Sequence, residues 1–412
     1  MAFDPRVKLS VCLGVVIIVS LTRQGHAING TPVWNFTPVA APQSGMSITA
    51  PALAFDHYGV PAIAWTQTHS FDGTSILTRS RATGLGGWQH LTVDSGVNAA
   101  FAASMSFDRA ERPTVAWVGG TTVKTQFNDI TLQTVAGNPG NSRYAIQVYH
   151  DLTGTLKGVY TGAATGSLFA LSGANGNHTS TSIGVIPNAA TIKDVAMTTD
   201  YAGRRHLIAR ARMNSNLDAV VVATEPFSGS AWTMNTLTTV DIVGGVSIAT
   251  DPTDGRIALA YTTYDGTTSK LFYAKSNGFS LATTEVQTST SAVFEDIDLK
   301  FDLSDGRPAI AFERQVASPF AQQLWFAYMN PSSVWQSGVV DSTIQMNHPT
   351  GLNRKPSLAF DDFGTSWPAI AYVDSDGSLQ VAVDPPGAAP EPATVAMLAL
   401  GSMLIRRRRR RA

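Results

Sequence analysis

Aspartate is the residue that first raises the question of chemistry in this chain, because one recurs in the same setting seven times. Asp56, Asp108, Asp151, Asp200, Asp251, Asp302 and Asp361 each stand between two short apolar runs, separated by 43 to 59 residues. In PALAFDHYGVPAIAW (51–65), Leu53 and Phe55 alternate with alanines before Asp56, and Ile63 and Trp65 alternate with alanines after Gly59. Period-two alternation suits pleated strands. A carboxylate between two strands has two possible uses. A glycosidase needs a pair of them about 5–9 Å apart across a cleft. A tight turn needs one Asp, whose side chain accepts a backbone amide two residues on, with a Gly that takes positive φ without strain. A catalytic residue is normally singular, whereas seven copies at equivalent turns are what a structural repeat requires. All seven are therefore expected to turn the chain.

Other chemistry is sparse. Asp374-Ser375-Asp376-Gly377 has the first half of a calcium loop without its later acidic ligands, and reads as another turn. There is no His-Glu-x-x-His, no phosphate loop and no Gly-x-Ser-x-Gly, and the eight histidines show no ligand spacing. No metal or cofactor is expected. Cys12 is the only cysteine and sits at the start of the apolar run 11–21 near the N-terminus. Disulfides and thiolate sites are thereby excluded from the rest of the chain.

The elements that must position these turns come from the repeat. Each aspartate-centred pair of strands is followed by a second pair, such as 75–80 and 88–93, or 271–275 and 279–286. A four-stranded antiparallel sheet cannot bury both faces alone, and radial stacking of such sheets solves that problem. The expectation is an all-β, seven-bladed β-propeller. Its seventh repeat has a third strand at 378–383 and then meets Pro385-Pro386, so its outer strand is missing. Trp34 and Val39 stand five apart, as do Trp88 and Val93, or Trp335 and Val340, in other outer strands. Residues 33–39 should therefore close the ring. The chain resembles propellers in general and no subfamily closely: no tryptophan is followed by Asp, and the Gly-Gly pairs fall at different repeat offsets.

In such a meander the aspartate turns share one face, and the second-to-third loops and inter-blade connections share the other. Function rides on loops held by a rigid scaffold. The loops 66–74, 262–268, 313–322 and 342–355 offer His69, Phe71, Tyr264, Asp265, Arg314, Phe320, His348 and Arg354 as lining for a sugar-binding surface. The same residue types also suit plain solvated loops.

The two ends carry an address. Arg6 and Lys8, the run 11–21 and Gly25-His26-Ala27 have the parts of a secretory signal, with cleavage expected after Ala27. At the other end Pro390-Glu391-Pro392 precedes the apolar run 393–405 and six arginines at 406–411. This order resembles a PEP-CTERM sorting tail. The resemblance covers about the last 23 residues and implies recognition by an exosortase, a membrane peptidase, followed by processing near 390–392. A basic cluster after an apolar helix stays on the cytoplasmic side, which leaves 28–389 outside. Thirteen apolar residues span roughly 20 Å against a hydrocarbon core of ~30 Å, which favours a transient stop over permanent residence.

The chain thus divides into a signal helix at 1–27, a propeller at 28–384, a linker at 385–392 and a hydrophobic helix with arginine tail at 393–412. The signal carries a formal +2 and the arginine tail +6, so the part between them falls from −1 to −9. Such a surface disfavours nucleic acid and other polyanions. The sequence is read as an exported, surface-sorted, non-catalytic propeller that binds extracellular polysaccharide or a surface protein. The alternative is a propeller glycosidase or polysaccharide lyase.

Overall fold

A computed structural model describes residues 32–384, apart from 70, 84–86, 98–100, 138–145, 152, 227–230, 278–279, 318–319, 345–354 and 362–366. The expected signal helix, Pro-Glu-Pro linker and hydrophobic helix lie outside the described residues. Among those described, no helix is long and apolar enough to cross a membrane.

Among the described residues the alternating runs form 28 strands in seven four-stranded antiparallel sheets. Six sheets are meanders in chain order, at 46–97, 101–137, 146–185, 189–240, 246–289 and 292–341, here blades one to six. Blade seven joins Ser357–Phe360, Pro368–Val373 and Leu379–Val383 to the N-terminal strand Asn35–Ala40. The first strand of each blade packs on the first strand of the next, and that of blade seven packs on that of blade one. The result is a closed seven-bladed β-propeller with the first strands around the axis.

Burial follows position in the blade. The second strand Pro113–Gly119 is buried at every residue, whereas the outer strand Thr233–Val240 is mostly exposed. The core lies between blades: Ile48, Leu53, Ile63 and Trp65 of blade one pack against Ala369, Val373, Leu379 and Val381 of blade seven. Each Val, Leu or Ile side chain among them contributes roughly 1.5–3 kcal/mol when taken out of water.

The ring closes where the chain's two ends meet. Asn35 pairs with Val383 and Pro38 with Gln380, antiparallel. The Val33 amide donates to Asp384 Oδ1 at 3.0 Å. Trp34 stands just ahead of the strand and meets the ring of Phe326 in blade six edge-on, at 5.2 Å between centroids.

Two connections expected as loops are largely strand. Pro61–His69 pairs Gln67 with Ile76, and Pro308–Ala317 pairs Gln315 with Gln322. Their polar residues hid the continuation, since Gln67 and Thr68 are buried despite being polar. Four first strands also carry a bulge near their start, at Thr49/Ala52, Phe101/Ala103, Ile192/Asp194 and Glu295/Ile297. Bulges re-aim side chains, and here they do so at the mouth of the axial channel.

Candidate functional site: the axial mouth and a groove between two blades

The turn aspartates are held by backbone. Asp56 Oδ1 accepts the amides of Tyr58 and Val60, both at 2.9 Å, and its other oxygen pairs with Arg81. Asp108 accepts the amides of Ala110 and Arg112 at 2.9 Å and Arg112 Nε at 2.7 Å. Asp151 accepts Thr153 and Thr155 amides at 2.8 and 3.0 Å, and Asp200 accepts the Arg204 amide at 2.9 Å and His206 Nε2 at 3.0 Å. Asp251 accepts the Thr253 amide at 2.7 Å and pairs with Lys275, and Asp302 accepts the Ser304 amide at 2.8 Å. The Asp361 amide donates to Trp367 O at 3.1 Å; the residues directly after it, 362–366, are not among those described. Burial pushes the carboxyls of Asp108 and Asp200 up, yet Arg112 for the one, His206 and Arg204 for the other, and the turn amides leave both below the usual range. These groups are ionised anchors. At Gly59, φ is +74° and a Cβ would stand 2.7 Å from the Asp361 carboxylate, so the turn of blade one needs glycine to pack on blade seven.

The opposite face holds the singular residues. Counting back six positions from each turn aspartate gives Ala50, Ala102, Ala145, Asp194, Gly245, Asp296 and Lys355. Lys355 reaches from blade seven to blade four, where its Nζ donates to Asp194 Oδ2 at 2.9 Å, and to Val246 O of blade five at 3.0 Å. Asp194 Oδ2 also accepts the Val246 amide at 3.2 Å. Two positions on from Asp296, Asp298 accepts Ser247 Oγ at 3.2 Å, Lys300 Nζ at 3.1 Å and the Leu358 amide at 2.9 Å. Burial draws the Lys355 ammonium down, but Asp194 and Asp298 more than reverse that, so it stays charged.

Asp296 differs from its neighbours. It is 6% exposed, sits on the bulge at φ +38°, and receives no hydrogen bond from any described residue. Burial, then Glu295 and Asp194, push its carboxyl up to about 7, against Lys355 and Arg210. Arg210 itself donates to Asp218 Oδ2 at 3.1 Å and to Gly244 O at 2.8 Å. The cavity at this axial mouth, lined by Ala52, Ser104, Gln147, Asp194, Asp298 and Lys355 among others, measures about 100 Å³. Among the described residues no three His, Cys, Asp or Glu side chains are grouped to hold a metal.

A second concavity, of about 300 Å³, opens between blades five and six and is lined by Tyr264, Thr267, Thr290, Ser291, Ala292, Val293 and Gln315. The Tyr264 hydroxyl donates to Gly266 O at 2.8 Å, which fixes the ring over the strand end. Asp265 Oδ1 accepts the amides of Thr267 and Thr268 at 3.0 and 2.8 Å, so this carboxylate shapes the turn beside the groove, and those bonds hold it below its ordinary pKa.

Of the loop residues singled out in the sequence, Tyr264 lines the groove and Asp265 flanks it. Arg314, beside Gln315 in sequence, lies over the Trp325 ring at 4.7 Å. His69 Nδ1 meets Asp72 Oδ1 at 3.1 Å, and Phe71 is 93% exposed, both in blade one. They do not gather with Tyr264. Phe320 begins a strand, and His348 and Arg354 lie outside the described residues, as do Ala27 and Pro390-Glu391-Pro392. The axial residues Asp194, Asp296, Asp298 and Lys355 escaped the sequence reading. Their signal was present: stacking the seven repeats on the turn aspartate puts charge in columns otherwise filled by small or neutral residues.

No protein-family model matches the chain, and no curated protein matches its sequence. Among solved structures, the chain is similar to a protein of unknown function from Dyadobacter fermentans (10% identity, TM-score 0.46, covering 71% of this chain and 97% of that one). It is also similar to the fucose-specific lectin from Aleuria aurantia (12%, TM-score 0.44, 76% and 100%). A third likeness is to the α-L-arabinanase of Penicillium chrysogenum complexed with arabinobiose (11%, TM-score 0.46, 87% and 99%). Identities and scores this low say nothing of activity.

Proposed function

We propose that this protein is an exported, non-catalytic propeller that binds an uncharged stretch of polysaccharide in the groove between blades five and six. The observation that carries this reading is the groove's lining: one phenol ring, the hydroxyls of Thr267, Thr290 and Ser291, the Gln315 amide, and no charged side chain among the described lining residues. An aromatic face beside hydroxyl and amide groups suits a neutral sugar, and its about 300 Å³ meets the lower bound of roughly 300–1,000 Å³ for ligand pockets. The axial mouth is a poorer host. Its about 100 Å³ is room for roughly three waters at ~30 Å³ each, and the carboxylates of Asp194 and Asp298 are already engaged by Lys355, Ser247 and backbone amides. A paired acid and base facing a sugar-sized cleft is what hydrolysis would need.

The ends of the chain support the setting. The signal-like start and the resemblance of the C-terminus to a PEP-CTERM tail favour export, brief membrane anchoring and processing by an exosortase-type peptidase, with the ring released to the cell surface or medium. Intact-mass measurement of the mature product should find a start near residue 28 and no arginine tail.

Calorimetry against a panel of neutral and uronate-bearing polysaccharides tests the binding reading. Tyr264→Ala should weaken binding of a neutral polymer about tenfold, corresponding to ~1.4 kcal/mol, the upper range for an aromatic contact. Unchanged affinity in Tyr264→Ala would remove the groove from consideration. Reducing ends or unsaturated uronates released by the purified ring would select the glycosidase or lyase instead.

A further inference from the structure

The first strand of each blade is a sheet edge facing the axis, and every edge presents backbone amides that its own blade cannot satisfy. The register places one of them at the third residue before each turn aspartate: Leu53, Met105, Val148, Met197, Ile248, Leu299 and Leu358. Five of the seven donate to the same place, the side chain four residues before the turn aspartate of the preceding blade. Leu53 donates to Ser357 Oγ at 2.9 Å, Val148 to Ser104 Oγ at 2.9 Å, and Met197 to Gln147 Oε1 at 2.5 Å. Leu299 donates to Ser247 Oγ at 3.0 Å and Leu358 to Asp298 Oδ2 at 2.9 Å. Ser247 Oγ in turn donates to Asp298 Oδ1 at 3.2 Å, which links consecutive members.

We infer that this column is a belt of side-chain acceptors that fastens each blade's inner edge to the next, and that its two gaps, at Ala52 and Ala196, are sites for bound water. At the gaps the preceding blade offers Met105 and Ile248 a methyl group in place of an acceptor. Met105 pairs with Val115 at the ladder position that Leu53 holds opposite Ile63, and Ile248 with Leu259 likewise, so both amides point off the sheet edge toward the axis. A buried amide without a partner costs about 1–3 kcal/mol, so such groups are almost always met by protein or by ordered water. At the first gap there is space for it: Ala52, Ser104 and Gln147 all line the axial cavity, and about 100 Å³ holds roughly three waters, given ~30 Å³ each and 2–4 polar partners. At the second gap Asp194 takes the amide one step nearer the mouth, that of Val246, at 3.2 Å, and Ile248 is left for water. The belt explains why a position inside an apolar strand alternates between Ser, Asp and Gln from blade to blade, and it marks the places where the ring is fastened by solvent.

The test is a set of single substitutions in the full chain, read by thermal unfolding and by a crystal structure that resolves water. Crystals should show a water within hydrogen-bond distance of Met105 N and of Ile248 N. Ala52→Ser and Ala196→Ser should each replace that water with Oγ and raise the melting midpoint. Ser247→Ala and Ser357→Ala should lower it, the new gap filling with water. Ala52→Val, which blocks both water and hydroxyl, should also lower the midpoint. Dry amides at Met105 and Ile248, or serine-to-alanine variants that melt with the parent, would overturn the belt.

Discussion

Replacing Asp296 by Asn should make the protein more stable, and by an amount that grows with pH. The residue is buried, has a positive φ that asparagine tolerates, and ionisation of its carboxyl is opposed by the charges of Glu295 and Asp194 and favoured by those of Lys355 and Arg210. Its pKa rises from the ordinary 3.8 to about 7 on folding, so between those values the native state holds a proton that the unfolded chain has lost. Stability therefore falls as pH climbs through that window, and the full penalty is in place above about pH 7. A difference of about three pH units at ~1.36 kcal/mol each is on the order of 4 kcal/mol. Urea unfolding of parent and Asp296→Asn in parallel at intervals from pH 4 to pH 8 isolates this group from the other carboxylates. The two should lie closest at pH 4, where the native carboxyl is protonated and the unfolded one only partly ionised, and diverge above it, the asparagine variant being the more stable. A difference that stays constant with pH, or one that widens toward acid, would refute the reasoning.

Lys355→Met should cost about 3–5 kcal/mol, because it leaves Asp194 as a buried charge without its partner, and adding Asp194→Asn should restore much of the loss; a double-mutant cycle in urea measures the coupling. Asp56→Ala removes a buried acceptor of two turn amides and the partner of Arg81. Its unfolding free energy should drop by about 2 kcal/mol, with groove binding unchanged in calorimetry. Deleting residues 28–40 strips the outer strand from blade seven and bares the edge of Leu379–Val383, and light scattering should then report aggregation.

The parts of this fold that repeat were legible in the sequence. Asp56 and its six counterparts and the period-two runs recur because every blade needs a tight turn at that place, so one copy interprets the others, even where Glu111 takes the positive φ held by glycine in other blades. Closure was legible for a related reason: Trp34 and Val39 keep the outer-strand spacing although they lie at the opposite end of the chain from the blade they complete. The axial cluster was legible only by stacking the repeats, because Asp194, Asp296 and Lys355 share one position that is small or neutral in the other blades, and each alone says only that a charged residue stands beside an apolar run. What they face is set by ring geometry, across 161 residues in the case of Lys355 and Asp194. The groove was legible in part. Tyr264 stood out as an aromatic on a loop and Gln315 fell within the expected loop 313–322, while their meeting with Ala292 and Val293 in one groove depended on blade six standing beside blade five.

The seam of blade seven sets a timetable for the chain. Synthesis proceeds from the N-terminus, so Asn35–Ala40 emerges before every other strand and meets Leu379–Val383 after them all. Until then it lacks the partner that its backbone pairs with in the finished ring. Its own residues limit the hazard: it is six long, Pro38 has no amide to offer a stray neighbour, and the register breaks between Pro38 and Ala40. A strand suited to waiting is a weak competitor for the wrong sheet. The correct one becomes available when the three C-terminal strands of blade seven have been delivered, so the ring's last seam is also a check that the whole chain has arrived.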